Sequence, residues 1–293
     1  MTVLTRPDGT LPEDLHLSRR SVAAFIAAGY AAAAISADAA PVTTPADGLV
    51  IETVTMAGGL PGYVARPAGK GRHPAVIVVN EVFGVHEWIK DVCRRLAKAG
   101  YVAVAPAFFF RADPGNTLAT LKEFPPIMKI VATAGNEQVM GDVAATLDWL
   151  GKQGFVAPKR TAITGFCWGG TVVWMAAARF DGLKAGAAWY GRIKGPPTST
   201  EARQWPIDIA ATLKAPVLGL YGGLDKGIPV ADVEAMAASL VAGKANPASA
   251  RSSIRIFANA DHGFLADYRP SFNPVDGPDG WGRMLAHFKA NGV

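Results

Sequence analysis

Cysteine is almost missing. The 293 residues contain two, Cys93 and Cys167, and neither belongs to a C-x-x-C pair or to a His/Cys cluster with zinc spacing. Two thiols do not build a disulfide scaffold, and no ligand set is present for a structural metal, so no structural metal is expected. Charge is also thin, at 18% of residues, and the basic excess of +5 is dispersed without a basic run. That pattern excludes a nucleic-acid binder and fits solubility with some attraction for small anions. No G-x-S-x-G occurs anywhere, so no serine competes for the place of a nucleophile on a strand-to-helix turn. What remains is half apolar, with glycine and proline scattered without a period, which is the composition of a globular chain.

The first 39 residues read as an export leader. Ser18-Arg19-Arg20-Ser21 precedes the uncharged stretch 22–35, and the small residues Ala37 and Ala39 flank Asp38 at its exit. As a helix that stretch would rise only ~21 Å against a hydrocarbon core of ~30 Å, so it is too short for a stable membrane span. Paired arginines, a weak alanine-rich segment and a small-x-small exit resemble a bacterial twin-arginine signal, which implies a periplasmic or secreted product. The alternative is an ordinary amphipathic N-terminal helix. Residues 40–48 make a Pro/Thr/Asp linker, and 49–293 form a single domain.

From residue 49 onward short β-branched runs alternate with helical stretches, the signature of a mostly parallel sheet with helices on both faces. Strands are expected at 49–55, 62–66, 75–79, 101–105, 161–164, 185–190, 216–221 and 254–257. Helices are expected from Trp88 to Gly100 and over 139–150, 168–180, 230–241 and 281–291.

The chemistry concentrates at Gly165-Phe166-Cys167-Trp168-Gly169-Gly170, where a strand turns at once into a helix. Such an elbow presents a strained nucleophile at the sheet's carboxyl edge. It needs small residues two before and two after, which Gly165 and Gly169 supply. The turn also aims the Trp168 backbone N–H at the reacting carbonyl oxygen. Alone, the motif has an alternative reading as a buried cysteine beside a glycine turn or as a phosphate loop. Asp225 and His262, each just past a later strand, add the acid and the base in the order this fold uses. Taken singly they would be a turn cap and a loop histidine. Among the other histidines, His16 belongs to the leader, His73 and His287 are expected on the surface, and His86 is expected to cap a helix. Cys93 lies on an apolar helix face and is expected to be inert core. Trp88, Phe108 to Phe110, Trp168, Trp189 and Phe264 are candidates to line an apolar pocket.

These residues resemble the dienelactone hydrolases, or carboxymethylenebutenolidases, from about residue 50 to the C-terminus. The resemblance is carried by Asn80-Glu81-Val82-Phe83-Gly84, Ala105-Pro106 with Arg111, the cysteine elbow, Gly223-Leu224-Asp225 and Asp261-His262-Gly263-Phe264. It implies an α/β-hydrolase fold, a monomer without a cofactor, and a triad of Cys167, Asp225 and His262. It also implies a thiol-contacting Glu81, oxyanion donors at the Val82 and Trp168 backbones, and Arg111 for a substrate carboxylate. A second carboxylate-binding arginine is expected four residues past the histidine, but Ala266 stands there, leaving Arg269 and Arg192 as candidates for that role.

The function expected is hydrolysis of a small, anionic, dienelactone-like lactone or ester through a thioester. The alternatives are a different small ester or a non-catalytic binding protein on the same fold. Glu81 could itself take the thiol proton if burial raised its pKa. An entering anion that pairs with Arg111 and displaces Glu81 from an inward ion pair would then gate ionisation of the thiol.

Overall fold

The computed structural model describes residues 43–195 and 204–293, and the expected leader over 1–39 lies outside them. The chain opens with an antiparallel hairpin of β1 (Leu49–Thr55) and β2 (Pro61–Pro67), with Leu49 opposite Pro67 and Thr55 opposite Pro61. Gly58 and Gly59 turn it, both at φ +74, a left-handed conformation open to a residue without Cβ. In β3 (His73–Val79), residues 75–79 are fully buried, because a strand covered on both faces has no side to give to water. Helix α1 (Glu87–Lys98) then buries Trp88, Ile89, Val92, Cys93 and Leu96.

The rest runs β4 (Val102–Pro106), α2 (Phe124–Val131), α3 (Asn136–Gly151), β5 (Val156–Phe166), α4 (Trp168–Arg179), β6 (Ala185–Trp189), β7 (Val217–Gly222), α5 (Val230–Ala242), α6 (Pro247–Arg251), β8 (Ser253–Phe257) and α7 (Asp276–Ala290). The eight strands form one sheet in the order β1-β2-β4-β3-β5-β6-β7-β8, parallel from β4 to β8. This is the mostly parallel α/β-hydrolase architecture.

The chain steps from β3 outward to β4, then returns past β3 to β5. Right-handed crossovers put helices on opposite faces when the direction of travel reverses, and a crevice opens at the carboxyl ends where it does. Strand β6 shows both layers. A Cβ on Gly186 would strike Val173 of α4, whereas Trp189, an odd number of residues on and so on the other face, presses its ring where Gly280 of α7 leaves room.

Several boundaries differ from expectation, each for a local reason. Strand β5 is longer than 161–164 because exposed residues 158–160, with Lys159 at φ 57, interrupt its apolar pattern. Helix α2 hides behind Pro125 and Pro126, which the first helical turn tolerates. Helix α6 is a short turn capped by the Asn246 side chain, which accepts from the Ala248 and Ser249 N–H groups at 2.9 and 3.1 Å. Helix α7 starts before Trp281 although its first turns carry Gly277, Pro278 and Gly280.

Candidate active site

Strand β5 ends at Phe166 and α4 begins at Trp168, so Cys167 alone turns the chain. It does so at φ 56, ψ −117, a conformation that costs a residue with a side chain ~1–3 kcal/mol. Its N–H donates to the Trp189 carbonyl and its own carbonyl accepts from the Gly170 N–H, both at 3.0 Å, so β6 and α4 hold the bend. There is no room for larger neighbours. A Cβ on Gly169 would lie 2.5 Å from the Val79 carbonyl oxygen and 2.7 Å from that of Asn80, and one on Gly165 would strike the Gly169 carbonyl.

Asp225 follows β7 and His262 follows β8. The His262 Nδ1 meets the Asp225 Oδ2 at 2.7 Å, and the other carboxylate oxygen accepts the Gly227 and Ile228 N–H groups at 2.8 and 3.2 Å. The Cys167 sulfur lies close enough to the ring to act on its charge. Burial alone would lower the ring's pKa. The Cys167 sulfur and the Asp225 carboxylate outweigh it and push the pKa up to about 10. Cysteine, histidine and aspartate, far apart in sequence, thus meet as one buried relay.

Glu81 sits in the turn after β3, completely buried. Its Oε1 accepts from Arg269 Nη2 at 2.8 Å, and its Oε2 accepts from the Tyr268 hydroxyl at 2.8 Å with His86 Nε2 at 3.2 Å. Burial would raise this carboxyl's pKa, but the Arg269 guanidinium, with His86 and Tyr268, overrides that and holds it at about 2. Glu81 is therefore a fixed anion. A glutamate that takes up the thiol proton through a raised pKa is corrected, and the ion pair it forms is with Arg269 rather than directed at the sulfur.

The remaining expected residues divide. Trp168 opens α4 and Val82 follows Glu81, and among the described residues neither N–H donates to a backbone carbonyl outside its own element. Arg111 is half exposed, and its two terminal nitrogens bind both oxygens of buried Asp142 at 2.9 and 2.8 Å. Arg269 is buried against Glu81 rather than open to a ligand, which corrects its assignment as a free carboxylate receptor. Arg192 is half-buried in the turn after β6, its carbonyl accepts the Thr171 hydroxyl at 2.9 Å, and the residue makes a further interaction.

His86 corrects another expectation, since its ring turns to Glu81 and makes no cap hydrogen bond. His73 and His287 are half-buried rather than on the surface, bonded to the carbonyls of Gly100 and Pro216, each at 3.2 Å. His16 lies outside the described residues. Cys93 is free, buried core whose thiol burial pushes to a higher pKa. Of the aromatic candidates, Trp88, Phe108, Trp189 and Phe264 are plain core, whereas Trp168 is half-buried with its ring 4.8 Å from that of Phe109.

Two tyrosines went unread in the sequence. Tyr268 braces Glu81. Tyr190, fully buried at φ 36, sets its ring edge-on to His262 at 5.0 Å, and its hydroxyl has no partner among the described residues. The tight Trp189-Tyr190-Gly191 turn, where a Cβ on Gly191 would strike Gly170, was the only available hint. A cleft of about 660 Å³ opens at the opposite edge of the sheet, beside Leu147, Lys152 and Lys184, and contains none of the candidate residues. Among the described residues no His/Cys/Asp/Glu group could hold a metal ion, and no helix is long and apolar enough to cross a membrane.

Residues 60–292 match the model of the dienelactone hydrolase family. The chain is 42% identical over 299 residues to a Methylorubrum extorquens protein named "Putative carboxymethylenebutenolidase", with 100% of both chains covered. An Escherichia coli K12 protein of the same name is 42% identical over 269 residues, covering 90% of this chain and 96% of its own. Among solved structures, one named "Putative Dienelactone Hydrolase" from Klebsiella pneumoniae superposes with a TM-score of 0.75 at 40% identity, covering 83% of this chain and 99% of that one.

Proposed function

The chain belongs to the dienelactone hydrolase family, whose members are hydrolases of esters or lactones, and on that premise we propose that it works through Cys167 and a thioester intermediate. The observation that carries this reading is the buried Cys167–His262–Asp225 relay. A thiol attacks as its thiolate, and an adjacent imidazole is the base that makes one. Asp225 fixes the ring by its Nδ1 and favours the imidazolium, leaving the other nitrogen for the sulfur.

The thiolate attacks the ester carbonyl and the carbonyl electrons move onto oxygen, and in this scheme the Trp168 and Val82 N–H groups receive the charge. As the intermediate collapses, the bond to the leaving oxygen breaks and the His262 imidazolium gives that oxygen its proton. Water then yields a proton to His262 and attacks the thioester. Acid is released, and the proton remains shared between ring and sulfur. Glu81, held by Arg269, Tyr268 and His86, acts in this scheme as a fixed wall of the turn that presents Val82. We also propose export by the twin-arginine route, which the N-terminal mass of the secreted protein tests.

Cys167→Ala should lose at least ~10⁴-fold in kcat/KM on p-nitrophenyl acetate. Stoichiometric alkylation of the wild-type thiol should abolish the same activity. Wild-type turnover in the alanine variant would refute the cysteine mechanism, and no turnover by the wild type on any ester or lactone would favour a binding protein on this fold.

A further inference from the structure

The arginines near the candidate site are already engaged. Arg269 spends its charge on Glu81 in a pair sealed from solvent, Arg111 spends both terminal nitrogens on buried Asp142, and Arg192 is not free. Lys194, further along the same turn as Arg192, is paired with Asp232 at 3.0 Å. The ionised groups about the sulfur are therefore unbalanced toward the negative. Glu81 and Arg269 cancel. Asp225 adds one negative charge to the cysteine–histidine pair, and that excess is the same whether the shared proton sits on sulfur or on the ring. A carboxylate brought beside the sulfur meets that like charge, a repulsion that low dielectric strengthens. Among the described residues the arginines there are already paired, and Lys226, next to Asp225, stands exposed on the outer side of its turn. The side chains that pack beside the sulfur are aromatic. Trp168, next to the sulfur in sequence, packs on Phe109 and Phe108, while Phe110 covers one face of the Arg111 guanidinium, with its centroid 4.4 Å from the guanidinium carbon.

We propose that the substrate is an uncharged aryl or alkyl ester or lactone, and that the Arg111–Asp142 pair closes the site to carboxylate-bearing substrates. This rests on the hydrolase reading above and narrows its substrate class. An unpaired arginine there would draw an anion in, whereas one clamped end-on by a buried carboxylate presents an almost neutral pair. Specificity then follows from arginines that are already paired among the described residues together with the aromatic side chains beside the sulfur, a difference of affinities set as much by what is rejected as by what is bound.

The test compares two substrates of equal carbon count that differ in charge, p-nitrophenyl valerate and the mono-p-nitrophenyl ester of glutaric acid, at pH 7.5 with the full chain. The expected result is a kcat/KM at least ~10-fold higher for the valerate. Asp142→Asn, which releases the Arg111 charge, should raise kcat/KM on the glutarate selectively and so narrow the gap. Equal rates, or a preference for the glutarate in the wild type, would overturn the charge inference while leaving the hydrolase reading intact. Inactivity on both esters and on neutral butenolides, with the Cys167 thiol still alkylating, would sink the hydrolase reading itself. If Asp142→Asn does not fold, the wild-type ratio alone decides.

Discussion

Glu81 and His262 are both buried ionisable groups, and their partners move them in opposite directions from their usual pKa values. For Glu81, Arg269 is the main reason the anion is tolerated, so Arg269→Met should leave an uncompensated buried carboxylate and destabilise by ~3–5 kcal/mol in urea unfolding. Glu81→Gln in the same background should recover part of that loss. Because the Glu81 pKa falls from the usual 4.5 to about 2, its stabilising contribution is complete above pH 4.5 and disappears as pH falls through about 2. For His262 the direction reverses. A ring raised from 6.5 to about 10 contributes stability that is full below 6.5 and lost as pH rises through about 10. In the proposed mechanism turnover needs the ring as imidazolium to protonate the leaving oxygen, so the alkaline limb of kcat/KM should fall near pH 10. A limb near 6.5 would show that neither Asp225 nor the sulfur supports the ring's charge. Cys167, Asp225 and His262 were legible in the sequence because each stands where a strand ends and the turn residues change. Tyr190 and Tyr268 were not, since a lone tyrosine in a loop has no spacing to betray it and acquires meaning only from what the fold brings beside it.

Helix α1 and the loop after β8 are tied together by buried charge. Asp91 receives the Thr44 N–H and Arg95 Nε at 2.5 and 2.6 Å, and the same arginine reaches Asp267 at 2.5 Å, next to Tyr268 and Arg269. Arg95→Ala would strand the Asp267 carboxylate, whereas Asp91 keeps Arg94 at 3.1 Å, and should cost ~2–4 kcal/mol, measured by thermal or urea unfolding. It should also lower kcat/KM, because the loop that carries both His262 and the partners of Glu81 would lose its brace. Unchanged stability with unchanged turnover would mean the loop is held from elsewhere. Most elements were readable from apolar period, and the exceptions have local causes. Where a helix must pass close to something large it needs glycine, as at Gly280 beneath Trp189, and glycine erases the helical signal. Where a strand surfaces briefly, as at residues 158–160, its alternation breaks although its hydrogen bonds run on.

At the scale of the whole molecule the strand order does what no local pattern could announce. Reversal of direction at β3 leaves Glu81 and Cys167 on adjacent parallel strands, and β7 and β8 then deliver Asp225 and His262 to the same edge. The sequence suggested this arrangement through the order of its turns. The clamping of Arg111 by Asp142 was invisible, because it joins a loop to a helix face 31 positions away. One further consequence follows from where the indoles fall. The chain holds seven tryptophans, of which Trp88, Trp174 and Trp189 are sealed in the interior, while Trp168 is half-buried and directly follows Cys167. Acylation of that sulfur, as proposed, should alter the polarity around this half-buried emitter more than around the sealed ones. Intrinsic fluorescence in a stopped-flow cell can thus time a single turnover on colourless compounds, without a dye-releasing leaving group.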